Sequence, residues 1–119
     1  PSGGPLVQHA LLALLELSKT KQMELKQIIK KTSHDVADCF LINKRGYLRP
    51  GYFADIVLIN PKNTFNVTKK NILYKCGWSP FEGMNFSHSI ESTFVNGKRV
   101  FHKGKFNENN NGKRLKFER

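Results

Sequence analysis

Apolar residues recur at helical spacing through the first third of the chain. The stretch Leu6–Leu17 is apolar over more than half of a helical circumference, so it predicts a helix that needs burial on more than one side. A second helix is predicted over Gln22–Lys31. A third is predicted to begin at Thr32 or Ser33, because Thr32 and Asp35 have the spacing of a capping box.

The pattern changes to short β-branched runs in the second half of the chain. The run Ala54–Ile59 predicts a strand that Pro61 ends. Upstream of it, Pro50 and Gly51 form the centre of a predicted type II turn, since proline fixes its own backbone angle and glycine accepts a positive one. Helices followed by strands predict an α+β fold class.

The clearest signal of local structure is a hairpin near the carboxyl end. The runs Ile90–Val95 and Lys98–His102 are rich in strand-forming residues, and the pair Asn96-Gly97 between them favours a tight two-residue turn. Two further pieces of extended chain are expected after the hairpin: Lys105–Phe106, beyond a turn at Lys103-Gly104, and Leu115–Phe117.

The net charge of the chain bears on which partners it could bind. The 119 residues carry 20 Lys and Arg against nine Asp and Glu, which gives a net charge of +11. Such an excess raises the question of a nucleic-acid or acidic protein partner. The lysines are spread along the chain without a dense basic run, which argues against nucleic-acid binding and favours a solvated basic surface.

The cysteines and the apolar stretches bear on the compartment. Cys39 and Cys76 lie far apart and form neither a C-x-x-C pair nor a disulfide framework, so we interpret them as reduced thiols of an intracellular protein. The sequence shows no secretion signal, and its longest apolar stretch is too short to span a bilayer. We therefore expect a cytoplasmic protein without a membrane partner.

The histidines give no compact metal-binding pattern. The chain has four of them, and none forms H-x-H or H-E-x-x-H. No serine–histidine–acid set follows from the spacing either. We therefore assign no catalytic residue and no metal ligand within this chain; the histidines concerned are His9, His34, His88 and His102.

The opening segment PSGGP combines two glycines with a predicted helix start. Pro5 suits the first turn of a helix, so the glycines would lie where exposed backbone N–H groups bind carboxylates or phosphates. A plain capping loop explains the same residues equally well. Both interpretations stay open on the residues alone.

The segment KCGWSPFEG, Lys75–Gly83, has the composition of a site but the features of a turn. Its glycines permit tight backbone paths, and its proline blocks regular strand pairing. Trp78 and Phe81 are expected to bury against the core and hold the segment. Cys76 has only Lys75 as a nearby cation, which argues against an activated nucleophile. We interpret the segment as a structural loop.

Three segments, taken in order, resemble one known superfamily. They are RGYLRPGYFADIVLIN, YKCGWSPFEG and STFVNGKRVFHKGKF. This order of motifs resembles the carboxyl-terminal part of the amidohydrolase superfamily, and within it the dihydroorotases. PSGGPLVQHALLALLE and KCGWSPFEG are similar to the bacterial branch of that enzyme. The resemblance covers nearly all of the chain, which it identifies as a C-terminal fragment of such an enzyme.

The resemblance implies a TIM barrel with an added β-sandwich. In such a parent, residues 1–42 would be the last barrel loop and helices of the metal-dependent hydrolase. Residues 43–119 would be the returning strands of the composite sandwich and a C-terminal tail. A TIM barrel takes about 250 residues, so the remainder of the barrel is an implied partner of this chain. Assembly of the parent as a homo-oligomer is left open.

The resemblance also implies a reaction. It is the reversible cyclisation of N-carbamoyl-L-aspartate to L-dihydroorotate in pyrimidine biosynthesis. The parent enzyme would use zinc held by motifs that this chain lacks, so the fragment is expected to bind no metal and to be inactive alone. By resemblance, Ser2, Gly3 and Gly4 would lie beside this small-molecule substrate and offer backbone donors to its carboxylate.

Two alternatives stand beside this hypothesis. A catalytically silent amidohydrolase-like subunit would keep the fold without the metal ligands of an active parent. A basic module for nucleic acid or an acidic protein would use the net charge of +11, and its affinity would fall steeply with salt.

Overall fold

Helices occupy the first part of the chain in the computed structural model, which describes residues 3–107 and 112–118. The helices are α1 (Ala10–Lys19), α2 (Leu25–Ile29) and α3 (Asp35–Cys39). A wide π-helical turn, Lys30–His34, joins α2 to α3, so the two form one helical run. Among the described residues, no helix combines the length and apolar character that crossing a lipid bilayer requires.

Helix α1 begins later than the sequence predicts. The expected first helical turn at Pro5 is wrong, because residues 6–9 form a separate turn that the His9 N–H closes on the Leu6 carbonyl at 3.1 Å. The N–H of Gln8 donates to the Tyr74 hydroxyl instead of to a helix carbonyl. A tertiary hydrogen bond therefore takes the backbone donor that an earlier helix start would have used.

The predicted boundary between the second and third helices is also wrong. Thr32 lies inside the helical run, and its hydroxyl donates to the Ile28 carbonyl at 2.8 Å. A threonine that bonds back in this way does not cap a new helix. The run ends after Cys39, where Leu41 has a φ of 53° and the Ile42 N–H bonds the Ala37 carbonyl in a Schellman arrangement.

In the part of the chain that the structure describes, six strands follow the helices and form two antiparallel sheets. Strands β1, β4, β5 and β6 form a four-stranded sheet in that order, and β2 pairs with β3 in a two-stranded one. The presence of helices and antiparallel sheets agrees with the expected α+β class. The strands are β1 (Ile56–Asn60), β2 (Phe65–Asn66), β3 (Asn85–Phe86), β4 (Ser89–Val95), β5 (Lys98–His102) and β6 (Lys105–Phe106).

The predicted carboxyl-terminal hairpin is confirmed. Strands β4 and β5 pair with Val95 opposite Lys98, so the turn between them has two residues. Both turn residues have positive φ, 51° at Asn96 and 80° at Gly97, which is the backbone of a type I′ turn. The predicted turn before β6 and the docking of the chain end are confirmed too, since Phe106 pairs with Phe101 and Phe117 bridges to Ile42.

The chain divides into two compact units. The first contains Pro1–Glu24 and Asn60–Ser89, and the second contains Leu25–Ile59 and Ile90–Arg119. Each unit thus combines an early helical segment with later strands. The division at residues 42 and 43 concerns the architecture of a longer parent and stays a prediction.

Each unit has a small core of its own. In the first, Leu12 and Leu15 of α1 are buried together with Val67 and Phe86. In the second, the buried apolar side chains are those of Ile28 and Ala37. Many large apolar side chains remain exposed in both units, as Val7 (90% exposed) and Leu48 (78%) illustrate. The described residues therefore bury only part of their own apolar surface.

Gly46 has the tightest backbone surroundings of the described glycines. It has a φ of +79°, and a Cβ atom there would overlap the Cβ of Ala37 and lie 2.9 Å from the Ser33 carbonyl oxygen. The Ser33 hydroxyl also donates to the Gly46 carbonyl at 3.0 Å, which holds the two segments together. Only glycine fits this close approach.

We expect Gly46→Ala to lower the free energy of unfolding by about 2–3 kcal/mol, since the methyl group overpacks the contact with Ala37. Gly51→Ala is the matched control: its φ is +82°, but no atom lies within 4 Å of an added Cβ. Backbone conformation alone should cost about 1 kcal/mol there. Urea denaturation of both variants measures the difference, and equal losses would contradict this account of Gly46.

Candidate functional site

The segment Gly3–Val7, here called the glycine loop, precedes α1 and is open. Gly3 has a φ of +148°, and both glycines are exposed. Leu6 and Val7 are 45% and 90% exposed. Ser2, the third residue expected near a substrate, lies outside the described residues. The glycine loop therefore presents bare backbone next to two apolar side chains.

Gln8, which follows the glycine loop, makes three hydrogen bonds to one distant segment. Its backbone N–H donates to the Tyr74 hydroxyl at 2.7 Å, and its side-chain amide donates to the Asn71 carbonyl at 2.6 Å. The Leu73 N–H donates to the Gln8 side-chain oxygen at 2.9 Å. We call these three bonds the Gln8 clamp. They attach the end of the glycine loop to residues 71–74.

The receiving segment is itself held by local hydrogen bonds. The Asn71 side-chain oxygen accepts the Thr68 N–H at 2.9 Å, and the Asn71 amide donates to the Asn66 carbonyl at 2.8 Å. The first of these bonds and the bond from the Asn71 N–H to the Thr68 side chain form a capping box at the short 3₁₀ turn Lys69–Asn71. The Gln8 clamp therefore binds a segment whose backbone is itself held by hydrogen bonds.

His9 is fully buried, among the rings of Phe65, Tyr74, Phe81 and Phe86 at centroid distances of 6.0–6.3 Å. Its Nδ1 atom lies 3.2 Å from the Ser79 hydroxyl oxygen. Its Nε2 atom is buried and has no hydrogen-bond partner among the described residues. Burial lowers the pKa of His9, so its neutral form is favoured.

Ser79 is the buried centre of the segment Lys75–Gly83. It is 5% exposed, and its hydroxyl oxygen also accepts the Phe81 N–H at 3.2 Å. Phe81 packs on Phe86 as expected, with ring centroids 5.6 Å apart. The expected burial of Trp78 is wrong, since its side chain is 50% exposed. A polar serine paired with His9 holds this segment in place of the tryptophan.

A second polar cluster ties the middle of α1 to the chain after β3. The Glu16 carboxylate accepts both the N–H and the hydroxyl of Ser87, at 2.5 and 2.6 Å. The Ser87 hydroxyl oxygen lies 3.0 Å from His88 Nδ1. The acid bonds the serine directly instead of orienting the histidine, so this is not the geometry of a catalytic triad.

The charges around Glu16 set its protonation. Partial burial pushes the pKa of Glu16 up, but hydrogen bonds from Ser87 and the positive charges of Lys19 and His88 outweigh that effect. The pKa of Glu16 is therefore held below its usual value. The carboxylate form is the one that binds Ser87.

The other histidines have separate partners. The His34 ring stacks on Tyr47 with centroids 4.3 Å apart, and His102 Nδ1 lies 2.8 Å from the Ser92 hydroxyl oxygen. Within residues 3–107 and 112–118, no group of three or more His, Cys, Asp or Glu side chains is placed to hold a metal ion. The described residues therefore do not by themselves assemble three such ligands for a zinc ion.

The second unit joins two motifs that the sequence singled out. The Asp55 carboxylate forms an ion pair with Arg45 and accepts the Asn96 N–H at 2.8 Å. Arg45 also donates to the Asn96 side-chain oxygen at 2.8 Å, and the Gly97 N–H bonds the Ala54 carbonyl at 2.9 Å. Ala54 and Asp55, just before β1, thus hold the turn Asn96-Gly97 between β4 and β5. This is a structural role.

Sequence reasoning missed Gln8 and Ser79. Gln8 bonds a residue 66 positions away, and Ser79 bonds one 70 positions away. Local periodicity carries no information on contacts over such separations. The one available signal is the position of both residues beside strongly patterned segments, Gln8 after the glycines and Ser79 between two aromatic residues.

Comparison with known proteins matches most of the chain to one family. A sequence model described as "Amidohydrolase family" matches residues 5–100. A dihydroorotase from Methanosphaera stadtmanae is 34% identical over 99 residues, which cover 83% of this chain and 23% of that protein. An allantoinase from Desulfitobacterium hafniense is 28% identical, over 81% of this chain and 21% of its own length. The chain thus spans about a quarter of the length of these relatives.

A solved structure shares the fold. A D-hydantoinase superposes on 89% of this chain and 23% of its own length, with a TM-score of 0.78 and 20% sequence identity. At this identity the likeness concerns the fold alone. The superposed part includes residues of both compact units, because 89% of the chain is longer than either unit alone.

The Glu16 cluster gives a pH-dependent prediction. Because the folded-state pKa of Glu16 is depressed, its stabilisation is present above the unfolded pKa of about 4.3 and is lost as the pH falls through the folded value. We expect Glu16→Gln to reduce stability by about 1 kcal/mol at pH 7, since the carboxylate is partly exposed, and to flatten the loss between about pH 5 and 3.

Thermal unfolding at a series of pH values checks this expectation. Glu82→Gln is the matched control, since Glu82 is exposed in the turn of the segment Lys75–Gly83. Parallel pH profiles for wild type and Glu16→Gln would show that the bonds to Ser87 do not depend on the charge.

Proposed function

The chain belongs to the amidohydrolase family, and we propose that it is the carboxyl-terminal part of a dihydroorotase. This enzyme interconverts N-carbamoyl-L-aspartate and L-dihydroorotate in pyrimidine biosynthesis. The observation that carries the proposal is the 34% identity to a dihydroorotase over 83% of this chain. Further dihydroorotases match at 32% identity, among them one from a bacterium, Clostridium acetobutylicum.

The proposal includes a place in the parent architecture. Residues 1–42 would supply the last loop and helices of the barrel, and residues 43–119 the returning strands of the sandwich. The exposed apolar side chains of both units support it, because a larger parent would cover them. In TIM barrels, the loops that follow the strands build the active site, and the glycine loop would be one of these.

The glycine loop is the proposed substrate contact of this chain. Ser2, Gly3 and Gly4 would donate backbone N–H groups to the substrate carboxylate, forming charge-assisted hydrogen bonds. Two observations support this role: both described glycines are exposed, and an added Cβ at Gly3 would meet no atom within 4 Å. A carboxylate can therefore approach the backbone closely.

Chemistry beyond this contact belongs to other parts of the proposed enzyme. The zinc that the family resemblance implies would be held by other parts of the parent enzyme, and this is supported by the absence of a group of three potential ligands among the described residues. The role of this chain would be to bind and orient the carboxylate. The small-molecule substrate, the rest of the barrel and a cytoplasmic location are parts of the same proposal.

Turnover by the full-length protein that carries this chain tests the proposed function. We expect it to hydrolyse L-dihydroorotate, with a kcat/KM at least about 100-fold above that for allantoin or hydantoin, since a ring carboxylate is the group the glycine loop would bind. Preference for allantoin would transfer the proposal to the allantoinase branch. A folded protein without turnover of any cyclic amide would contradict it and favour a catalytically silent subunit.

Substitution at Gly4 tests the contact. Gly4→Asp places a negative charge beside the substrate carboxylate, and we expect it to raise KM for L-dihydroorotate by about tenfold through repulsion. Gly4→Asn is the matched control, because it has the same shape without the charge. Steady-state kinetics of the full-length enzyme measures both. Equal KM values for the two variants would contradict a carboxylate at the glycine loop.

A further inference from the structure

We propose that Gln8 and His9 are positioning residues for the substrate carboxylate, because they hold the end of the glycine loop against residues 71–79. The inference rests on the proposed function, in which the glycine loop binds that carboxylate. Gln8 and His9 would hold the glycine loop in its binding position before the substrate binds. The contacts that carry it are the Gln8 clamp and the pair of His9 with Ser79.

The glycine loop has little packing of its own. An added Cβ would meet nothing within 4 Å at Gly3 and only a Leu6 side-chain carbon, at 3.9 Å, at Gly4. Val7 is 90% exposed. Among the described residues, the contacts that position the loop therefore come from the residues that follow it.

The two residues after the loop hold the chain through different contacts. Gln8 bonds the backbone and one hydroxyl of residues 71–74, and His9 bonds Ser79 inside a cage of four aromatic rings. A single contact would leave the chain free to rotate about it. Two adjacent contacts fix both the position and the direction of the backbone that leaves the loop.

The clamp lies close enough to affect the glycines. Gln8 lies four positions after Gly4, and a chain spans at most about 3.6 Å per residue, so Gly4 stays within roughly 14 Å of Gln8. Ordering one backbone residue costs about 1–2 kcal/mol. A loop whose end is already fixed loses less of this freedom when a carboxylate binds, which favours binding.

Loss of the Gln8 clamp should affect KM and kcat differently. Preorganised carboxylate binding acts equally on the ground state and the transition state, so its loss should raise KM and leave kcat nearly unchanged. A purely structural contact would behave differently, because its loss would lower the amount of folded enzyme and the thermal stability without changing KM.

The experiment compares hydroxyl deletions in the full-length enzyme. Tyr74→Phe removes the acceptor of the Gln8 N–H and keeps the ring beside His9. Tyr47→Phe is the matched control, since it deletes a hydroxyl bonded to Asp38 at 2.6 Å in the other unit. We expect Tyr74→Phe to raise KM for L-dihydroorotate about fivefold with kcat within twofold of wild type. The control should leave both values unchanged.

Two more variants extend the test. Gln8→Met removes the side-chain bonds of the clamp, and Ser79→Ala removes the partner of His9. Both should raise KM at least as much as Tyr74→Phe. Gln8→Glu keeps the oxygen that accepts the Leu73 N–H but replaces the amide that donates to the Asn71 carbonyl by a second oxygen, so it should raise KM as well. Unchanged KM in all these variants would overturn the inference.

Hydrogen–deuterium exchange keeps the inference testable apart from activity. In Tyr74→Phe and Gln8→Met, amides of residues 3–9 should exchange faster than in wild type, and those of β4 should not change. Wild-type enzyme without turnover would overturn the proposed function, and exchange would still decide whether the clamp holds the loop. Unchanged exchange at residues 3–9 would overturn the inference whatever the kinetics.

Discussion

The first unit depends on the burial of a single histidine. A buried polar ring is costly unless its nitrogen atoms find partners. Inside its aromatic cage, His9 Nδ1 pairs with the Ser79 hydroxyl at 3.2 Å, whereas Nε2 has no partner among the described residues. This one pair joins the start of α1 to the segment Lys75–Gly83. Because His9 is the residue before α1, its burial also sets where the helix begins. Gln8 and the glycine loop take their positions from that point.

The second unit uses charge in a comparable way. Arg45, Asp55 and Asn96 form a closed set of hydrogen bonds between a loop, the start of the strand β1 and a hairpin tip. The Ala-Asp and Asn-Gly motifs that resemble the amidohydrolase superfamily are the two sides of this set. Structural pairing therefore accounts for their spacing in the sequence. Each unit thus has polar contacts that join elements distant in sequence.

Local structure followed from the sequence where local chemistry decides it. The Asn96-Gly97 hairpin was predictable because both residues accept positive φ, and the α+β order followed from the change in hydrophobic period. The start of α1 and the role of Thr32 were not predictable, since a tertiary bond to Tyr74 and a back-bond to Ile28 override local capping preferences. The Gln8 clamp depends on contacts 63 to 66 residues apart, which one sequence does not reveal.

We propose that the glycine loop binds a substrate carboxylate and that the Gln8 clamp and the His9–Ser79 pair hold the loop in place. A crystal structure of the full-length protein with N-carbamoyl-L-aspartate measures this arrangement directly. The account predicts a substrate carboxylate oxygen about 2.8–3.0 Å from a backbone nitrogen of Gly3 or Gly4, with the Gln8–Tyr74 hydrogen bond intact. A substrate bound with both carboxylates away from the glycine loop would contradict the account.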